Sequence, residues 1–190
     1  RNPLVLSRIG MLYYLKGDRK RAATWLEEAV ERNPDLASAY PLLATVYRES
    51  GAPEKAAALE AQRQARLAAG AGEENFRKGL QAYSQMRLDE AAAEFRKALA
   101  ANPSNPATWS NLGYVEYDRG DLNKAFEHQR RALELDPGCA SAHYGLALIA
   151  KKRNDLGSAR REWEEYLRLE PEGYFSRKAR QELKALDGRP

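Results

Sequence analysis

Small and apolar residues recur in this chain every 34 positions, and that recurrence limits the possible folds more than any other feature. Gly79, Gly113 and Ala147 form one in-phase set, and Leu88, Leu122 and Leu156 a second. Ala91, Ala125 and Ala159 follow, then Leu99, Leu133 and Leu167, and finally Pro103, Pro137 and Pro171. A fixed period of this length marks stacked supersecondary units, each too small to bury its apolar face alone. An array of that kind has no single core, so its 190 residues do not convert into a number of globular domains.

Local signals make each unit a helical hairpin. Asn2 can cap a helix whose first turn holds Pro3, Gly17 can end it in the left-handed conformation, and Asp18 can cap the next. That second helix carries Ala22, Leu26, Ala29 and Val30 at helical spacing and stops near Asn33-Pro34. The next hairpin repeats the plan with Tyr40, Leu43, Ala44 and Tyr47, a break at Gly51, and Ala56 and Leu59 beyond Pro53. There the pattern drifts. Arg63 takes the slot of Ala29, Ala98 and Ala132, no proline follows, and Ala56 to Ala91 spans 35 residues. The expectation is an overlong helix ended by Gly70-Ala71-Gly72, with a flexible joint at that break. Three regular hairpins follow, with Met86-Arg87 and Asn154-Asp155 replacing the Gly-Asp turn in two of them. A last helix, roughly Gly173 to Asp187, puts Phe175, Ala179, Leu183 and Leu186 on one stripe. Arg177, Lys178, Arg180, Gln181 and Lys184 face away, as the closing element of a stack requires.

The order Trp109, Leu112, Gly113, Ala125, Ala132, Pro137 resembles the tetratricopeptide repeat. The resemblance covers nearly the whole chain and implies an all-α, right-handed α-solenoid. Its five repeats fall at 3–36, 37–71, 72–105, 106–139 and 140–173, with a capping helix at 174–187. In this pattern Gly113 and Ala125 are small because the helices of one repeat approach closely, and Ala132 because the next repeat packs there. Pro137 removes a backbone donor and stops the second helix. Three positions depart from the pattern: Gln129 and Glu116 stand where packing aromatics are usual, and Tyr166 fills a small-residue slot.

Composition and motifs point away from catalysis. With 43% hydrophobic and 31% charged residues the chain is too apolar and periodic for a disordered segment. The net charge of +4 is interspersed along the helices, apart from the short runs Arg19-Lys20-Arg21 and Lys151-Lys152-Arg153. A nucleic-acid partner would call for a continuous basic face. The single cysteine, Cys139, excludes an intrachain disulfide. His128 and His143 are the only histidines. The first is expected on an outward helix face and the second packed in the slot of Trp109. No paired Cys/His spacing supports a metal, Gly70-Ala71-Gly72 follows no strand, and no apolar run approaches membrane-spanning length. No enzyme activity, cofactor or membrane insertion is expected in this segment. The chain opens on Arg1 rather than Met and is read as part of a longer protein.

The resemblance places function on the concave wall formed by the first helices, which in this family holds a peptide of a protein partner. Carried over position by position, the wall comprises Phe76, Leu80, Tyr83, Ser110, Tyr114, Tyr117, Asp118, Tyr144, Leu148, Lys151 and Lys152. The two-carboxylate clamp of chaperone-tail binders does not fit: its positions hold Phe76, Leu80, Asn111, Ser141 and Gly145, of which only Asn111 matches. The expected ligand is an apolar or aromatic peptide with its acidic part near Lys151 and Lys152. A second expectation concerns the first helix, which is apolar on nearly all sides. Leu4, Leu6, Met11, Tyr14 and Leu15 there form an edge that needs covering, by earlier repeats or by a second copy in a homo-oligomer. The remaining alternative is that the array is one part of a larger enzyme or membrane-complex subunit.

Overall fold

The residues that recur in phase become the contact surfaces between helices. The computed structural model describes residues 1–187, and the described residues form ten α-helices and no strand. They divide into two compact units, Arg1–Ala68 and the remainder from Ala69. The first unit contains α1 (Pro3–Leu15), α2 (Arg19–Arg32), α3 (Ala39–Glu49) and the opening turns of α4 (Pro53–Ser84). The second contains the rest of α4 and then α5 (Leu88–Ala101), α6 (Pro106–Asp118), α7 (Leu122–Leu135), α8 (Ala140–Lys152), α9 (Leu156–Leu169) and α10 (Ser176–Asp187). Each unit is a stretch of α-solenoid.

Capping follows the sequence signals closely. Asn2 Oδ1 accepts the Leu4 N–H at 2.9 Å, and Asp18, Asp121 and Asp155 accept from Arg21, Lys124 and Ser158 at 2.9–3.0 Å. The hairpin turns use a left-handed residue throughout: φ is 83° at Gly17, 76° at Gly51 and 88° at Gly120. Asn154 (62°) and Met86 (57°) take the same conformation, so the third turn keeps its geometry at the cost of holding a methionine there. Arg87 provides no side-chain cap for α5.

The break expected at Gly70-Ala71-Gly72 is absent. α4 is continuous over 32 residues, and neither glycine has a positive φ. Each glycine costs a helix about 1 kcal/mol relative to alanine. The Ala-, Gln- and Arg-rich flanks outweigh that cost, and no proline intervenes. The expected repeat boundary at 71/72 therefore falls inside a helix.

Within each unit the small slots let helices nest. Ala22, Ala56, Ala91, Ala125 and Ala159 are 0–1% exposed. A Cβ on Gly113 would lie 2.6 Å from Gln129 Nε2, and one on Gly145 would meet the same side chain. Gln129 thus fills, between two glycine-bearing helices, the slot that Phe95 and Trp163 fill in neighbouring repeats. Its Nε2 donates to Ser110 O at 3.1 Å while its Oε1 is left without a partner. Glu116 is likewise buried, held by Arg96 at 2.8 Å and Arg119 at 3.3 Å. One tie recurs between consecutive hairpins. Tyr40 Oη donates to Pro34 O (2.7 Å) and Trp109 Nε1 to Pro103 O (2.8 Å), while His143 Nε2 lies 3.3 Å from Pro137 O. His143 Nδ1 also contacts Glu162 at 2.7 Å. His128 is not outward as expected but half-buried, its ring 5.5 Å from that of Trp109.

Candidate functional site

The wall residues sit on the later turns of α4, on α6 and on α8, and the second unit does not leave all of them open. Ser110 is fully buried, accepting from Gln129 through its carbonyl and from Ser141 Oγ at 3.0 Å through its hydroxyl. Phe76 is half-buried against Phe95, ring centroids 5.8 Å apart, while Leu80 is 39% exposed. Tyr83 donates to Asp118 Oδ2 at 2.6 Å, and burial together with that carboxylate raises its pKa. Tyr114 donates to Ser141 O at 2.5 Å, and burial holds its hydroxyl well above the ordinary tyrosine range.

Around α8 the chain supplies its own occupant. Phe175 stacks on Tyr144 with centroids 4.4 Å apart and planes 8° from parallel, and its N–H donates to Tyr166 Oη at 2.9 Å. Leu148 packs in the same cluster as Leu183 and Leu186 of α10. Lys151 is engaged by Glu182 at 2.5 Å. Tyr144, Leu148 and Lys151 are thus covered by the C-terminal segment, and Tyr166 is its seat. The sequence showed Phe175 on the capping stripe but gave no sign that it would lie on the wall.

A ladder between consecutive first helices singles out what stays open. Tyr14 Oη donates to Glu49 at 2.9 Å in the first unit, and Tyr83 to Asp118 in the second; both pairs are 35 residues apart. The same step from Tyr117 reaches Lys152, whose ammonium cannot accept a hydrogen bond. Tyr117 is partly buried, its hydroxyl pKa raised by burial and by the Asp118 charge, and Lys152 is exposed. Among the described residues neither has a side-chain acceptor. Two donors therefore stand where the ladder elsewhere has a donor and a carboxylate.

The apolar edge of α1 is only partly as expected. Leu6 is 1% exposed, because its side of the helix faces the core shared with Leu26 and Leu43. Tyr14 is tied to Glu49, and the Arg19 guanidinium lies 4.1 Å above its ring. Leu4, Met11 and Leu15 are 56%, 51% and 67% exposed, joined by Val5 and Leu12 at 52% and 58%. Among the described residues no cluster of three or more His, Cys, Asp or Glu side chains could hold a metal. No described helix is long and apolar enough to cross a membrane.

A tetratricopeptide-repeat family model matches residues 76–138 and again 130–174, and a second such model matches 3–36. The chain belongs to the tetratricopeptide-repeat family. A comparison with curated proteins finds no match. Similar solved structures include the tetratricopeptide domain of Arabidopsis OM64 (18% identity, TM-score 0.57). They also include the first such domain of Spaghetti (RPAP3) bound to the HSP90 peptide SRMEEVD (21%, 0.57). A third is the TPR2B domain of yeast Sti1 in complex with pHsp70 (19%, 0.57). Each likeness covers 63% of this chain and 98% of the other. At such identities the likeness is one of fold. As a tetratricopeptide-repeat protein the chain is an all-α solenoid of the kind that serves as a protein-interaction scaffold.

Proposed function

We propose that this tetratricopeptide array is a non-enzymatic scaffold whose second unit binds an extended peptide of a protein partner. Apolar side chains of the peptide rest on Leu80 and Phe76, and a carboxylate is received by Tyr117 Oη and Lys152 Nζ. The observation that carries this reading is the unfilled rung: Tyr83 has Asp118 as its acceptor, whereas the same step from Tyr117 reaches Lys152, a second donor. A ligand carboxylate would complete there the bond that the protein makes for itself one repeat earlier. Lys151 is not part of the receiver, since Glu182 already holds it. Asn111 does not form a clamp either, because its Nδ2 donates to Ala107 O at 2.8 Å within its own helix. The HSP90 peptide bound in one of the similar structures therefore supports a peptide mode but not a shared ligand.

A charge-assisted bond of this kind contributes about 1.5–3 kcal/mol, roughly a tenfold or greater effect on affinity. Peptide arrays combining Leu or Phe with Glu or Asp supply the ligand, and fluorescence anisotropy reads its affinity. Tyr117→Phe with Lys152→Ala should weaken binding at least tenfold, whereas Glu182→Gln should not. Unchanged affinity in the double variant would remove the proposed receiver.

A further inference from the structure

The geometry points to a second interaction surface in the first unit, where two copies of this chain join head to tail. The α1 face of one copy packs on the outer side of α4, at Ala57 and Ala61, in the next. The molecule already makes an interface of this kind several times. In three first helices that follow another hairpin, the residue in the frame of Leu12 is buried: Val46 in α3, Val115 in α6 and Ile149 in α8, all 0–1% exposed. The residue in the frame of Val5 is buried as well, as Ala39, Thr108 and Ala142. In α1 those two places hold Val5 and Leu12, both apolar and both more than half exposed. Val5 and Leu12 thus carry the chemistry of a stacking face with nothing stacked on it.

The matching receptor is present in the same unit. In the α5–α6 contact Val115 packs in one cluster with Ala92 and Leu99. Ala57 stands in α4 where Ala92 stands in α5, and Ala57, Ala61 and Ala65 are exposed along one side of α4. The chain's own following repeat lacks the residues for that contact, because Glu74 and Gln81, both exposed, occupy the frame positions of Val5 and Leu12. Glu74 is instead paired with Lys78 at 2.8 Å.

Charge fixes the register and selects a second copy as the occupant. At the α5–α6 and α7–α8 interfaces the C-cap residue of the first helix is basic and reaches the second residue of the preceding helix, whereas the α2–α3 interface has Ser50 and Lys20 at those places. Arg119 pairs with Asp89, and Arg153 Nη2 donates to Asn123 Oδ1 at 2.7 Å and to Leu122 O at 3.1 Å. At the two uncovered faces the same frame positions are Lys16, the C-cap of α1, and Glu54, the second residue of α4. Both are exposed and of opposite sign, and among the described residues neither has an ion-pair partner. A second copy therefore supplies small side chains and the complementary charge in one rigid placement. The interface is heterologous, so association continues past the dimer unless the ring closes.

The test uses sedimentation velocity on the 190-residue chain over a range of concentrations. The unaltered chain should form dimers and larger species as concentration rises. Leu12→Asp, which removes the α1 face, and Ala57→Arg, which blocks the α4 face, should each give a monomer. Both positions are exposed, so circular dichroism should be unchanged. Mixed in equal amounts, the two variants should recover a complex of two chains and no more, since each retains one working face. Lys16→Glu should weaken association, and Glu54→Lys in the same chain should restore it. A wild-type chain that stays monomeric overturns the proposal. So does association lost in Leu12→Asp but kept in Ala57→Arg, which would mean α1 pairs with α1, and so does a mixture that remains monomeric.

Discussion

α1 and α10 hold equivalent places in the repeat frame and turn opposite chemistry to water. α10 buries Ser176 and Ala179, packs Leu183 and Leu186 inward, and exposes Arg177, Lys178, Arg180 and Lys184. α1 buries Leu6 and Gly10 and exposes Leu4, Val5, Met11, Leu12 and Leu15. Both are well-formed helices with a packed inner side, so helix formation does not separate them. What separates them is the outward face. A stack is closed where that face is charged and remains able to accept a partner where it is apolar. In the functions proposed for them, the second unit, closed by α10, binds along its wall and the first unit at its edges.

Four substitutions probe that contrast, beginning with the most damaging. Trp163→Ala empties the largest fully buried slot of the closed end and should cost about 3–5 kcal/mol in denaturant melts. Ala179→Asp places a charge where α10 meets α9 and should cost about 3 kcal/mol, detaching the cap and exposing Tyr144. An Ala179→Asp chain as stable as the parent would mean that α10 does not close the stack. Met86→Gly should stabilise the chain by about 1 kcal/mol, because it relieves a left-handed methionine. Leu12→Asp, at the open end, should change monomer stability by no more than about 0.5 kcal/mol, measured at dilution. A loss of several kcal/mol there would show that α1's outer face is covered within one chain.

Much of the fold was legible because it repeats. The in-phase alanines, the Asp caps and the left-handed turn residues each had a single structural use, and the structure places them in it. Even Asn154 was readable, since asparagine tolerates the turn conformation better than most residues. The site was read less well. Wall positions carried over by frame assume an open wall, and frame alone cannot show that Phe175 and Glu182 would cover Tyr144 and Lys151. Ser110 is small and polar, and only the Gln129 contact revealed that it is enclosed. Leu6 was misassigned because α1 is apolar on both sides, so periodicity gave no direction. The chief error was at Gly70-Ala71-Gly72. Glycine is permitted in a turn but does not require one, and the flanking helix formers decided the outcome.

An unbroken α4 is what leaves Ala57 and Ala61 uncovered and gives the molecule two stacks. Gly70→Ala tests it by sign. In a helix, with open space around the added Cβ, the substitution should raise stability by about 0.5–1 kcal/mol in urea melts. Gly120→Ala, at a φ of 88°, should lower it by about 1 kcal/mol in the same experiment. If Gly70→Ala instead destabilises the chain as Gly120→Ala does, the helix breaks at that residue and the two-stack description is wrong.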